Sequence, residues 1–152
     1  MSRFAERGGN WLLGQLPLLA AAVAIPPWIG VLATGGDRWM ASALIAAGVA
    51  LASWARVSLG SSFTPFPKPV EAGVHVASGP YRFVRHPMYA AIVLFLAGWA
   101  VLWESFAGAL LTFAAFVLLD LKAQREELWL EEKYPGYADY RRRTRKLIPF
   151  VY

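Results

Sequence analysis

The sequence predicts an all-α integral membrane protein with four transmembrane helices, the third and fourth a tight hairpin, forming one membrane domain over residues 1–152. Three observations predict it. Of the residues, 57% are apolar and only 16% charged, against about 25% charged in a soluble domain. Mean hydropathy is positive, at +0.42. Uncharged apolar stretches alternate with segments that hold nearly all the basic residues. The same composition excludes disorder. With no cysteine, disulfides, thiolate zinc sites and a cysteine nucleophile are excluded, and two histidines do not by themselves build a metal site. No metal is expected. The net charge of +5 reads as membrane topology rather than nucleic-acid binding.

The first stretch, 11–33, is 23 residues without a charge, enough to cross about 30 Å of hydrocarbon. Arg3 and Arg7 precede it, as in a secretory leader, but the run exceeds the usual apolar core of about 7–15 residues and no small-x-small cleavage site follows. Pro26-Pro27 within it predicts a kink, tolerable where neighbouring helices satisfy the freed carbonyls. The second stretch, 39–55, is rich in Ala and Gly, which let helix backbones approach closely in lipid. The third, 88–103, and fourth, 105–119, are separated only by Glu104. Each is about 23–26 Å long at 1.5 Å per residue, so they are expected to gain length from flanking residues such as Tyr89 and Asp120 or to sit in thinned bilayer.

Placing both termini in the cytoplasm leaves 1–10, a loop 56–87 and a tail 120–152 inside. These hold 14 of the 15 basic residues, with only Arg38 outside. That asymmetry predicts four spans in the cell inner (cytoplasmic) membrane. Trp11, Trp28, Trp39, Trp54, Trp99 and Trp103 lie mostly near span ends, as an aromatic belt requires. The loop contains Pro65, Pro67, Pro69, Gly73, Gly79 and Pro80, so it is not one long helix. Irregular segments of this length are more often functional than idle.

Three clusters carry polar chemistry. Gly79-Pro80-Tyr81-Arg82-Phe83-Val84-Arg85-His86-Pro87-Met88-Tyr89 reads either as a turn and helix start, with Pro87 at the first helical position, or as a place where His86 and free N–H groups meet a small polar ligand. Lys122-Ala123-Gln124-Arg125-Glu126-Glu127-Leu128-Trp129 follows the fourth span. If the helix continues, Lys122, Arg125, Glu126 and Trp129 share a face, while Glu127, Glu131 and Asp120 lean elsewhere. Alone, this run also reads as a solvated, salt-bridged helix end. Tyr134-Pro135-Gly136-Tyr137-Ala138-Asp139-Tyr140-Arg141-Arg142-Arg143-Thr144 reads as a break followed by a short basic amphipathic helix, such as lies on a membrane surface.

In this order the clusters resemble the isoprenylcysteine carboxyl methyltransferase family and its bacterial relatives, a group that includes phospholipid N-methyltransferases. The residues that carry the resemblance are Ser78-Gly79-Pro80-Tyr81, Arg85-His86-Pro87-Met88-Tyr89, Glu126-Glu127 with Leu130, Tyr137, Tyr140, and Arg143 with Leu147-Ile148-Pro149-Phe150. They span about 80 residues from position 70 onward. The first two spans carry no recognisable motif. The resemblance implies S-adenosylmethionine as methyl donor, S-adenosylhomocysteine as product, and a donor site formed by the loop and helical tail. It places Gly73, Val74, His75, Val76, Tyr81, His86, Pro87, Met88, Tyr89 and Glu126 at the donor, and Lys122, Glu126 and Arg143 in the catalytic set. Lys122 stands where the eukaryotic enzymes carry arginine, and lysine is a point charge without the bidentate fork.

The implied reaction is methyl transfer to a lipophilic acceptor entering from the bilayer, most simply the carboxylate of an isoprenylcysteine-like molecule. Phospholipid N-methylation is the second reading. Such chemistry is mainly positioning and exclusion of water. A carboxylate acceptor needs no general base, whereas a protonated amine does. Absence of a Gly-rich strand-to-helix turn excludes a soluble Rossmann-type methyltransferase. Two readings compete: a non-catalytic scaffold whose basic tail binds anionic membrane lipids, and a membrane reductase with a nicotinamide cofactor. The latter is disfavoured for want of a phosphate cradle.

Overall fold

Long uncharged runs give long helices. The computed structural model describes residues 3–152, in the order α1 (Arg3–Glu6), α2 (Asn10–Ala24), α3 (Pro26–Ile29), α4 (Gly36–Leu59), α5 (Pro87–Leu102), α6 (Phe106–Lys133) and α7 (Tyr137–Arg143). Residues 1 and 2 of the expected N-terminal cytoplasmic segment, and the side chain of Arg3, lie outside the described residues. Three helical stretches are long and apolar enough to cross a membrane: Asn10–Ile29, Gly36–Ser62 and Phe106–Lys133. The apolar α5, of 16 residues, is shorter, about 24 Å.

The first apolar run departs from one continuous helix at 11–33. Pro26 has no N–H to continue the ladder and begins a new short helix. Helix ends at Ile29, Gly30 is extended, and residues 31–33 run without helix beside the end of α5, where the Ala33 N–H donates to Leu102 O at 2.8 Å. A Cβ on Gly30 would stand 2.1 Å from Trp103 O, so only glycine permits this approach.

The tightest packing is between α4 and α5. A Cβ on Gly48 would lie 2.9 Å from Ala91 O, and one on Gly98 2.9 Å from Ala41 O. Missing side chains bring the two backbones together, the form of helix association that works where no water is expelled. Trp103-Glu104-Ser105 joins α5 to α6, and the Ser105 hydroxyl caps α6 by accepting from the Gly108 N–H at 3.1 Å. Ala22, Leu96 and Ala115 form a small core from α2, α5 and α6. Large apolar side chains such as Leu13, Leu16, Trp28, Val57 and Phe113 point outward, a surface suited to lipid and not to water.

The fourth apolar run does not stop at residue 119. It continues as one 28-residue helix to Lys133, because residues 120–133 are nearly all good helix formers. Between α4 and α5 the chain is irregular, with 3₁₀ turns at Gly60–Ser62 and Gly79–Arg82. Backbone pairing fastens the tail to this loop: Arg85 N–H to Arg145 O at 2.8 Å, His86 N–H to Lys146 O at 3.0 Å, and Arg145 N–H to Phe83 O at 3.3 Å.

Candidate active site

At the polar end of the bundle a cavity of about 220 Å³ opens between the loop, the start of α5, the second half of α6 and α7. From α6 it receives Lys122, Glu126 and Leu130, four residues apart and therefore stacked on one helix face. From the start of α5 it receives His86, Met88 and Tyr89; the loop adds Val74, His75, Val76 and Tyr81. Residues far apart in sequence thus meet on one wall.

Glu126 and Glu127 do different things. The Tyr89 hydroxyl donates to Glu126 Oε2 at 2.6 Å. Glu127, only 3% exposed, receives Arg85 Nε at 2.7 Å, His86 Nε2 at 3.1 Å and Arg141 Nε at 3.3 Å. A carboxylate can only accept, so Nε2 of His86 carries its proton toward Glu127. Nδ1 then faces Glu126, 3.9 Å away. The imidazole stacks flat on Tyr89, centroids 5.3 Å apart. Glu127 therefore orients the groups that orient Glu126.

This corrects the face expected for the start of the charged run. Arg125 is exposed, its guanidinium 4.7 Å from the Trp129 ring, and Glu127 is inside. The helix is gripped from two sides. One side meets the loop and α2 through Lys122; the other meets the start of α5 and α7 through Glu127. Glu131 pairs with Arg141 at 2.7 Å, and Asp120 pairs with Lys146.

His75 sits among three tyrosines. Its ring centroid is 5.7 Å from Tyr134, 5.3 Å from Tyr137 and 4.7 Å from Tyr140. Its Nε2 is buried without a hydrogen-bond partner, and burial lowers its pKa below the ordinary histidine value. Burial raises the phenols of Tyr81 and Tyr137, helped by the charges of Glu126 and Glu127 respectively, and pushes Tyr140 up to about 12. All three stay protonated near neutrality. The Tyr140 hydroxyl donates to Tyr81 O at 2.6 Å, and the Tyr134 hydroxyl to Gly73 O at 2.8 Å.

The structure brings Val74, His75, Val76, Tyr81, His86, Met88, Tyr89, Lys122 and Glu126 to one cavity. Three expected residues are elsewhere. Gly73 is not among the residues that line the cavity, Pro87 is fully buried at the first turn of α5, and Arg143 lines a neighbouring recess with Arg82 and Gly136, bordered from the cavity side by His75 and Tyr140. Sequence reasoning missed Gln15, which reaches the cavity from α2, and the anchoring role of Glu127. Gln15 is the only amide or charged side chain within 11–33, which was a usable signal. Glu127 stood in a family motif, but nothing local showed its anchoring role, since its partners are more than ten residues away in sequence.

A family model described as phospholipid methyltransferase matches residues 37–136. The cobalt-zinc-cadmium resistance protein CzcN of Cupriavidus metallidurans is 36% identical over 75 residues, covering 49% of this chain and 35% of that protein. The nickel-cobalt-cadmium resistance protein NccN of Alcaligenes xylosoxydans xylosoxydans is 29% identical over 116 residues, covering 74% of this chain and 53% of that one. The chain thus spans about a third and about half of the length of these curated relatives. Matched over well more than half its residues, the chain belongs to the phospholipid methyltransferase family.

Proposed function

We propose that the protein is an S-adenosylmethionine-dependent methyltransferase of the cytoplasmic membrane, acting on a lipophilic acceptor whose reacting group is most simply a carboxylate. The observation that carries the reading is the convergence of Tyr81, His86, Tyr89 and Glu126 on one cavity beside a buried lysine. The donor, when bound, supplies a sulfonium-activated methyl group. The residues fit such a molecule. Glu126 offers a carboxylate to a ribose diol, and Val74, Val76 and Met88 offer apolar walls to an adenine. The buried, unpartnered Nε2 of His75 is a polar atom awaiting a ligand group. The remaining task of the protein is to hold two reactants in line and keep water out. The Tyr89–Glu126 and His86–Glu127 contacts fix that wall before anything binds.

On the acceptor side, the Lys122 ammonium provides positive charge for an oxyanion, and a carboxylate needs no base to react. Phospholipid N-methylation is kept as a second reading because the matching family model carries that description; there Lys122 would take the headgroup phosphate. Membranes containing the protein, incubated with methyl-labelled donor and either a prenylcysteine acid or phosphatidylethanolamine, separate the two. Label in the acid supports the first reading and label in the phospholipid the second. Uptake by neither, together with no calorimetric binding of S-adenosylhomocysteine, overturns the enzyme reading in favour of a lipid-binding scaffold.

A further inference from the structure

Gln15 lies 8% exposed on α2, and its Oε1 accepts from Lys122 Nζ at 2.6 Å. The same ammonium donates to Pro65 O at 3.0 Å and stands 5.3 Å from the Tyr89 ring centroid. Lys122 itself is 2% exposed. Among the described residues no carboxylate lies within ion-pairing distance of it. The neighbouring acid one turn on, Glu126, is bonded to Tyr89 instead.

A buried cation is ordinarily matched by an anion, because desolvation costs several kcal/mol per ion. Here the partners are two neutral oxygens and an aromatic ring, and both Gln15 and Lys122 face the cavity. Neutral acceptors fix the direction of the ammonium, and Glu126, whose charge acts on it from one turn away, makes no direct ion pair with it. Gln15 also lies outside the part of the chain that the family model matches, residues 37–136.

We infer that Gln15 is a positioning and specificity-determining residue: it aims the Lys122 ammonium into the cavity without a direct ion-pair partner, so that the site selects acceptors bearing a singly charged oxyanion on an apolar chain. The inference rests on the methyltransferase reading above. It gives the first apolar helix a role in substrate choice beyond anchoring. The oxyanion is either the reacting carboxylate of an acid or the phosphate of a phospholipid headgroup.

Gln15→Glu tests it, since the side chain keeps its shape and its accepting oxygen but acquires the counter-charge. KM for the acceptor is expected to rise at least tenfold, with kcat falling less and the affinity for S-adenosylhomocysteine staying within twofold. Gln15→Met, which keeps volume and removes the acceptor atom, is expected to raise KM less than Gln15→Glu does. Both variants are assayed with N-acetyl-S-farnesylcysteine and with phosphatidylethanolamine vesicles, and whichever KM moves identifies the oxyanion. A purely structural glutamine predicts no excess effect of the isosteric glutamate over methionine, and that result overturns the inference. So does wild-type protein that binds S-adenosylhomocysteine but methylates neither acceptor. Wild-type protein that binds no S-adenosylhomocysteine removes the methyltransferase reading and the inference with it.

Discussion

The two ends of this molecule are held together by opposite means. Along α4 and α5, cohesion comes from absent side chains: Gly48 and Gly98 let backbone meet backbone. At the polar end it comes from charge, where one buried carboxylate, Glu127, gathers Arg85 and His86 from the start of α5 and Arg141 from α7. The apolar half thus depends on shape that a single added carbon would spoil. The polar half depends on pairing, which a removed charge spoils. Predictions follow from breaking each in its own way.

The largest effect is expected from Gly98→Leu. Its first added carbon would already stand 2.9 Å from Ala41 O and from Ile45 N, backbone atoms that no rotamer change can move aside. The variant is expected to give no monodisperse folded protein in detergent, by size-exclusion chromatography. A well-folded Gly98→Leu would show that close backbone approach is dispensable.

Glu127→Ala comes next. Removing one member of a buried ion cluster typically costs about 3–5 kcal/mol, because its partners are left charged and unpaired. Thermal unfolding is expected to shift well below wild type, with the apolar helices retained by circular dichroism. A shift of the same size for the exposed pair Arg142–Asp139, broken by Asp139→Ala, would erase the contrast.

Glu126→Gln should weaken S-adenosylhomocysteine binding about tenfold, or about 1.4 kcal/mol, while leaving the fold intact. Unchanged affinity by calorimetry removes Glu126 from the donor site. Lys122→Ala should depress acceptor turnover more than donor binding, and equal losses would deny it an acceptor-side role.

The smallest effect is in pH. Folding raises the pKa values of Tyr81, Tyr137 and Tyr140, the last to about 12. The folded state therefore keeps protons that the unfolded state gives up from about pH 10. Their contribution to stability is complete below that pH and is lost as pH rises toward 12. Tyr140→Phe should make the fall in thermal stability between about pH 9 and 12 shallower, and should cost about 1 kcal/mol at neutral pH through the lost bond to Tyr81 O. An alkaline slope identical to wild type would place the burial elsewhere.

The apolar half was legible because composition alone writes it: an uncharged run specifies a helix wherever its partners are. Even there, local chemistry at Pro26 ended a helix that hydropathy extended to residue 33. The continuation of α6 past Leu119 was foreseen only as a condition, since helix-forming charged residues suit a free surface equally well. At the site, the motif residues His86, Tyr89 and Glu126 line one cavity, but their pairings do not follow from the short patterns that singled them out. Glu127 is buried because Arg85 and Arg141 come to it from 42 positions before and 14 after, a coincidence no window of sequence displays. Arg143 matched a pattern yet faces a different recess, because α7 turns Tyr137 and Tyr140 inward instead.

The backbone pairing of residues 83–86 with 145–146 bears on how the protein is made. Helices inserted one after another during synthesis can pack as they emerge, since each finds its neighbour already in the lipid. The wall that carries His86 cannot: Arg85 and His86 wait for carbonyls some 60 residues downstream. That wall of the cavity is therefore fixed only once residues 145 and 146 have been made, and a ribosome stalled before codon 145 would leave the apolar helices without it.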